Sequence, residues 1–85
     1  MKYWFIIDDE TRARADIDIE CLPEGTNREQ AYNMALTVWN RKTKYEQKAC
    51  DSLYIGYAEP AEESDERHIF PDFDTMINIE YIKEG

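Results

Sequence analysis

Hydrophobic and polar residues follow a different pattern in each part of this chain, and the changes of pattern divide it into elements. Lys2–Ile7 (KYWFII) is aromatic and β-branched on both sides, which predicts a strand inside a sheet. Ala13–Cys21 (ARADIDIEC) alternates without a break, as a half-buried strand does. A polar turn at Asp8–Arg12 would join the two strands into a hairpin.

The alternation in Ala13–Cys21 separates an apolar side from a charged side. Because the side-chain period of a strand is two residues, one side faces a core and the other faces away from it. We expect the apolar side to meet a helix. That side consists of Ala13, Ala15, Ile17, Ile19 and Cys21, and the other of Arg14, Asp16, Asp18 and Glu20.

Thr26–Asn40 is the only segment with a sustained helical period. Thr26 and Glu29 fit a capping box at its start. Its broad apolar arc predicts a helix that lies flat on a sheet, and the centre of that arc is Ala31, Ala35, Val38 and Trp39.

The helical pattern fails beyond Asn40, since Lys42 and Glu46 would point towards the core. A continuation towards Cys50 would be a solvated extension, in which the basic residues suit the negative end of the helix dipole. These basic residues are Arg41, Lys42, Lys44 and Lys48.

The second half of the chain predicts two more strands, Ser52–Ala58 and Thr75–Lys83, with Gly56 as a bulge or a close approach. Between them lies a long acidic connection, 59–74, in which Ala61–His68 could form a short helix. The order β-β-α-β-β predicts a single α+β domain spanning residues 1–85. Its antiparallel four-stranded sheet would carry one main helix packed on one face.

A single helix covers only one face of such a sheet, so the second face needs a partner or a cover. We expect the helix to meet Ile17, Ile19, Leu53, Ile55, Ile77 and Ile79. The second face would then carry Asp16, Asp18, Glu20, Glu80, Tyr54, Met76 and Ile82, with either Trp4 and Ile6 or Tyr3 and Phe5 depending on the register. A surface of aromatic anchors and carboxylates is typical of protein binding. The alternative is that the acidic connection folds back and covers this face with Ile69, Phe70 and Phe73.

A net charge of −9 and a pI near 4.4 limit the kinds of partner that the chain would attract. Nucleic acid and anionic membranes would repel such a chain, whereas a basic protein would attract it. The other interpretation is that the charge serves only solubility.

No motif for catalysis, a cofactor or a metal accompanies the elements. The three glycines stand apart, and the only histidine, His68, lies in the acidic connection without a signature around a nucleophile. Carboxylates at i and i+2 of a strand stand about 6.6–6.8 Å apart, too wide for joint coordination of one ion. The prediction is a protein that is not an enzyme and uses no cofactor. An enzymatic hypothesis would need His68 together with Asp72 or Asp74.

Cys21 and Cys50 imply no disulfide framework and are expected as small buried hydrophobes. The N-terminal apolar run is too short for a signal peptide or a membrane span. These features predict a cytoplasmic protein.

The size, the acidity and the stripes Asp16-Asp18-Glu20 and Glu62-Glu63-Asp65-Glu66 resemble the small acidic proteins of phages and mobile elements, including anti-CRISPR inhibitors. The resemblance implies a compact cytoplasmic protein that occupies a nucleic-acid-binding surface of a CRISPR effector.

The leading hypothesis is an acidic inhibitor or adaptor that binds a basic protein, one that normally holds DNA or RNA being the natural candidate. The expected charged contacts are Asp16, Asp18, Glu20, Glu62, Glu63, Asp65 and Glu66, and the expected anchors are Tyr54 and Trp4. The second hypothesis is a structural homodimer, in which like charges would favour pairing through sheet edges over pairing through faces.

Overall fold

Strand β1 (Tyr3–Glu10) lies in the interior of the sheet, as its apolar residues on both sides predict. In a computed structural model that describes all residues 1–85, it pairs antiparallel with β2 (Asp16–Cys21) and with β3 (Ser52–Ala58). Strand β4 (Ile77–Lys83) completes the sheet, whose order is β2-β1-β3-β4. The predicted α+β fold with an antiparallel four-stranded sheet and a main helix is confirmed.

The main helix α2 (Arg28–Arg41) packs on β1, β3 and β4. Ala31 and Ala35 are fully buried at this contact, and their small side chains let the helix approach the sheet closely. We call the covered side of the sheet the helix face. Its core consists of Trp4, Ile6, Leu22, Ala31, Ala35, Cys50, Leu53 and Ile55. Each large apolar side chain buried there contributes roughly 1.5–3 kcal/mol of transfer free energy.

The opposite side of the sheet, the second face, has a smaller core. Phe5, Ile7 and Ala58 are buried there. Side chains of the connection between β3 and β4 pack against this core, so the second face is partly covered. The partly buried residues are Tyr3, Ile19, Cys21, Tyr54, Ile69 and Met76.

The predicted polar turn at Asp8–Arg12 is wrong, because Asp8 to Glu10 continue β1. A single helical turn, α1 (Thr11–Arg14), follows, and its first amide donates to Asp9 Oδ1 at 2.9 Å. Ala15 then adopts a left-handed conformation with φ 51°. Strand β2 therefore begins at Asp16 and not at Ala13.

The start of α2 also differs from the prediction. Asn27, and not Thr26, is the N-cap: its Oδ1 accepts from the Gln30 amide at 2.8 Å, while Gln30 Oε1 accepts from the Asn27 amide at 3.0 Å. Thr26 Oγ1 instead donates to the Pro23 carbonyl at 2.7 Å. Thr26–Glu29 and Asn27–Gln30 have the same spacing, so the sequence pattern could not separate them.

Substitution Asn27→Ala should lower the free energy of unfolding by about 1 kcal/mol, because the Gln30 amide loses its acceptor. The matched substitution Thr26→Ala should cost less, since its hydroxyl serves only a turn. Urea denaturation followed by tryptophan fluorescence measures both. A larger loss of unfolding free energy for Thr26→Ala than for Asn27→Ala would indicate that Thr26 is the N-cap, as the sequence predicted.

Helix α2 does not continue towards Cys50. Lys42 has an extended backbone, and Thr43 caps a separate helix α3 (Lys44–Ala49). Thr43 Oγ1 accepts from the Glu46 amide at 3.1 Å, and Glu46 Oε1 accepts from the Thr43 amide at 2.8 Å. The bond from the Thr43 amide to the Glu46 carboxylate lowers the pKa of Glu46.

Strand β3 has the predicted bounds, and Gly56 has the predicted role. The register with β4 shifts between Ile55 and Tyr57, and a Cβ on Gly56 would overlap the side chain of Met76. Glu80 and Ile82 lie on the helix face, not on the second face as predicted. Glu80 pairs with Arg28 of α2 at 3.0 Å, and Ile82 packs on the helix-face core.

The acidic connection is folded, but not as the helix predicted for Ala61–His68. It forms a narrow loop in which the Ala61 amide donates to the Phe70 carbonyl at 2.8 Å and a bridge joins Pro60 to Pro71. Its only helical turn is of the 3-10 type, at Phe73–Thr75.

Candidate functional site

The acidic stripe of β2 lies on the helix face, which corrects the prediction. In the register with β1, Glu20 is opposite Ile6, Asp18 is opposite Asp8 and Asp16 is opposite Glu10. Residues opposite each other on paired strands share a face, and Ile6 belongs to the helix-face core. The stripe and helix α2 are therefore on the same side of the sheet.

The stripe nevertheless stays in solvent because β2 is an edge strand, outside the three strands on which α2 mainly packs. The helix packs on the other three strands, and the side chains of Asp16, Asp18 and Glu20 are all exposed. No Lys or Arg nitrogen lies within 4.0 Å of their carboxylates. The ion pairs of the chain instead use Asp8, Glu10, Asp51 and Glu80.

The apolar side of β2 faces the second face and not the helix, again contrary to the prediction. Ile17 is 49% exposed, and Ile19 packs on the second-face core. Ile19, Ile7, Tyr54 and Tyr81 are successive register partners, so they form one apolar row across all four strands. Ile77 and Ile79, expected beneath the helix, are also about half exposed.

The two predicted anchors have different positions. Trp4 is only 7% exposed and packs beneath the helix against Tyr57, with 5.0 Å between ring centroids. It therefore cannot be a surface anchor. Tyr54 lies on the second face beside Tyr81, with ring centroids 5.0 Å apart, and its half-burial raises the pKa of its hydroxyl.

The loop acids are exposed, and one of them has a structural task. Asp65 Oδ1 accepts from the amides of Arg67 and His68 at 2.7 and 2.8 Å, and these bonds lower the pKa of Asp65. Glu62, Glu63 and Glu66 make no ion pair.

The loop and the stripe both contribute a carboxylate to one cleft. Glu20 and Glu66, with Glu24, line a cleft of about 460 Å³ between the end of β2 and the loop. Ile69 lies at the same cleft and packs on the second-face core. Phe70 and Phe73, predicted to cover the second face as well, are exposed.

A buried ionic cluster that the sequence pattern did not predict lies between β1 and the end of α2. Lys42 Nζ is 2.8 Å from Asp8 Oδ2 and 2.9 Å from Glu10 Oε1, and the three side chains are 9–11% exposed. Burial opposes the charge of Lys42, but the hydrogen bonds that its ammonium group donates to both carboxylates outweigh this effect, and the pKa of Lys42 is raised. The signal in the sequence was the core-facing position of Lys42.

The remaining reactive groups are not assembled into a site. His68 stacks on Phe70, whereas Asp72 caps the 3-10 turn by accepting from the Asp74 amide at 3.0 Å. Both cysteines are free; burial and the nearby Asp8 raise the pKa of Cys50 to about 11. No three His, Cys, Asp or Glu side chains are grouped so that they could hold a metal ion.

None of the helices has the length and apolar character needed to cross a membrane. Comparison of the chain with protein-family models, with curated proteins and with solved structures finds no match.

Proposed function

We propose that the protein is an acidic inhibitor or adaptor that binds a basic surface of another protein in the cytoplasm. The observation that supports this most is the state of the β2 stripe. Three exposed carboxylates on one edge strand have no cation within 4.0 Å, although the chain contains ten basic residues. The negative electrostatic field of these carboxylates is therefore not neutralised by a neighbouring cation, and it would accelerate association with a positively charged partner.

Loop carboxylates extend this acidic surface beyond the stripe. Glu66 lies across the cleft from Glu20, and Glu62 and Glu63 follow the loop further away. A surface that normally holds DNA or RNA has the complementary charge. A CRISPR nuclease complex is the specific partner that we propose, on the strength of this charge and of the resemblance to small phage-encoded inhibitors.

The triple substitution Asp16→Lys, Asp18→Lys and Glu20→Lys should weaken inhibition by about ten-fold or more, because each reversal turns attraction into repulsion. The assay measures displacement of fluorescent target DNA from a panel of CRISPR nuclease complexes. Inhibition by the unmodified protein should also decline as salt rises.

The matched control is Glu29→Lys, Glu59→Lys and Glu84→Lys, which also changes exposed carboxylates. Both variants carry −3 instead of −9, since each reversal replaces −1 by +1. Equal inhibition by the two variants would show that the stripe is not the interface. Displacement of DNA from none of the complexes would reject this class of partner.

A further inference from the structure

We propose that the partner binds as a β-strand, with alternating basic and apolar side chains, added to the outer edge of β2. This inference rests on the proposed function and specifies how the acidic surface would be recognised. It follows from three properties of β2: its backbone, its apolar side and its charged side.

The outer backbone edge of β2 is unpaired. Strand β2 is the first strand in the sheet order, and no other segment makes a backbone hydrogen bond with residues 16–20. Leu22, the residue after β2, donates to the carbonyl of Trp4 at 2.8 Å and so bonds inward, towards β1. Inward and outward bonding alternate along an antiparallel strand, so the outward amides and carbonyls are those of Ile17 and Ile19.

Strand β2 also offers an apolar surface that is continuous with the sheet. Ile17 is 49% exposed, and Ile19 begins the apolar row that crosses the sheet to Tyr81. An added strand would place alternate apolar side chains beside these two isoleucines and prolong the row. In strand addition of this kind, main-chain hydrogen bonds provide the affinity, and contacts of alternate side chains provide the specificity.

Charge decides which strand fits. Asp16, Asp18 and Glu20 are spaced at about 6.6–6.8 Å, and a second strand repeats its own alternate side chains at the same distance. A Lys or Arg can therefore face each carboxylate in turn, as opposite charges do in stable cross-strand pairs. A second copy of this chain would instead face carboxylates with carboxylates.

The other edge of the sheet is less suited to an added strand. The pairing of β4 shifts in register twice, and Asn78 has a positive φ of 55°. Such irregularities are a common means of blocking a sheet edge. Strand β2, by contrast, keeps one register over all six of its pairs.

The test is an NMR titration of the full-length ¹⁵N-labelled protein with a capped peptide of seven alternating Lys and Val residues. At about 50 mM salt, where charge pairs are weakly screened, the peptide should bind saturably. The largest shifts of amide signals should be at Ile17 and Ile19. A peptide with Glu in place of Lys should bind about ten-fold more weakly or worse, since three charge pairs become repulsive.

A Lys-Val peptide with N-methylated valines separates strand addition from simple charge attraction, because it keeps the charges but loses the backbone donors. It should bind about ten-fold more weakly. Equal binding of the methylated peptide, or shifts spread over the acidic loop, would overturn strand addition while leaving charge-driven partner binding intact. If none of the peptides binds, the proposal is wrong, and the acidic stripe serves only to prevent other strands from pairing with this edge.

Discussion

Replacement of Lys42 by Met should lower the free energy of unfolding by about 3–5 kcal/mol, the range found when one member of a buried ion pair is removed. Asp8 and Glu10 would be left close together without the ammonium group that lies 2.8 and 2.9 Å from them. A domain of this size has a total stability of roughly 5–10 kcal/mol, so the variant should lose about a third of its stability or more. Urea denaturation and circular dichroism measure the loss.

Two variants identify the cause of that loss. Arg41→Met, at the exposed neighbouring position, should change stability by no more than about 0.5 kcal/mol. Adding Asp8→Asn and Glu10→Gln to Lys42→Met should recover part of the stability, because no buried charge then remains unpaired. If the added substitutions lower stability further, the loss comes from packing of the lysine stem or from the ion pair of Glu10 with Arg14, which Glu10→Gln also removes.

The substitution Ile69→Asp should lower the free energy of unfolding by about 2 kcal/mol. It should also release the acidic loop from the second face. Ile69 is the loop side chain that packs on the second-face core, and a carboxylate there loses the apolar contact and is poorly solvated. Limited proteolysis with a glutamate-specific protease should then cleave at Glu62, Glu63 or Glu66 faster than in the unmodified protein.

Phe73→Asp is the matched control, since Phe73 belongs to the same connection and is 53% exposed. It should leave both stability and the cleavage rate nearly unchanged. Equal effects of the two substitutions would mean that the whole apolar part of the loop covers the sheet, as the sequence had suggested.

The structure changes where a partner would bind. The sequence predicted one open face that carried both the acids and the aromatic anchors. The acids lie instead on the helix face, and Ile17 and Tyr54 lie on the second face. The two kinds of side chain alternate along β2, where α2 packs mainly on the other three strands and leaves Asp16, Ile17, Asp18 and Glu20 exposed. The edge, and not a face, is therefore the surface that combines charge with apolar contact.

The sheet and the main helix were predictable because their signals are local. The alternation in β2 and the period of α2 each repeat over several residues, and β3 was predicted at its observed bounds. The ends of the elements were harder, because they depend on single hydrogen bonds. The choice of Asn27 over Thr26 as the N-cap is one example.

The sequence by itself determined that β2 has an acidic side and an apolar side, and that one helix covers one face of a four-stranded sheet. It could not determine which side of β2 lies with the helix. Strand β1 is apolar on both sides, so either register would bury hydrophobic residues, and a shift of one residue exchanges the faces. The tertiary structure decided this through a contact distant in sequence. Lys42 at the end of α2 binds Asp8 and Glu10, which places these two residues of β1, and with them the stripe residues paired to β1, on the helix face.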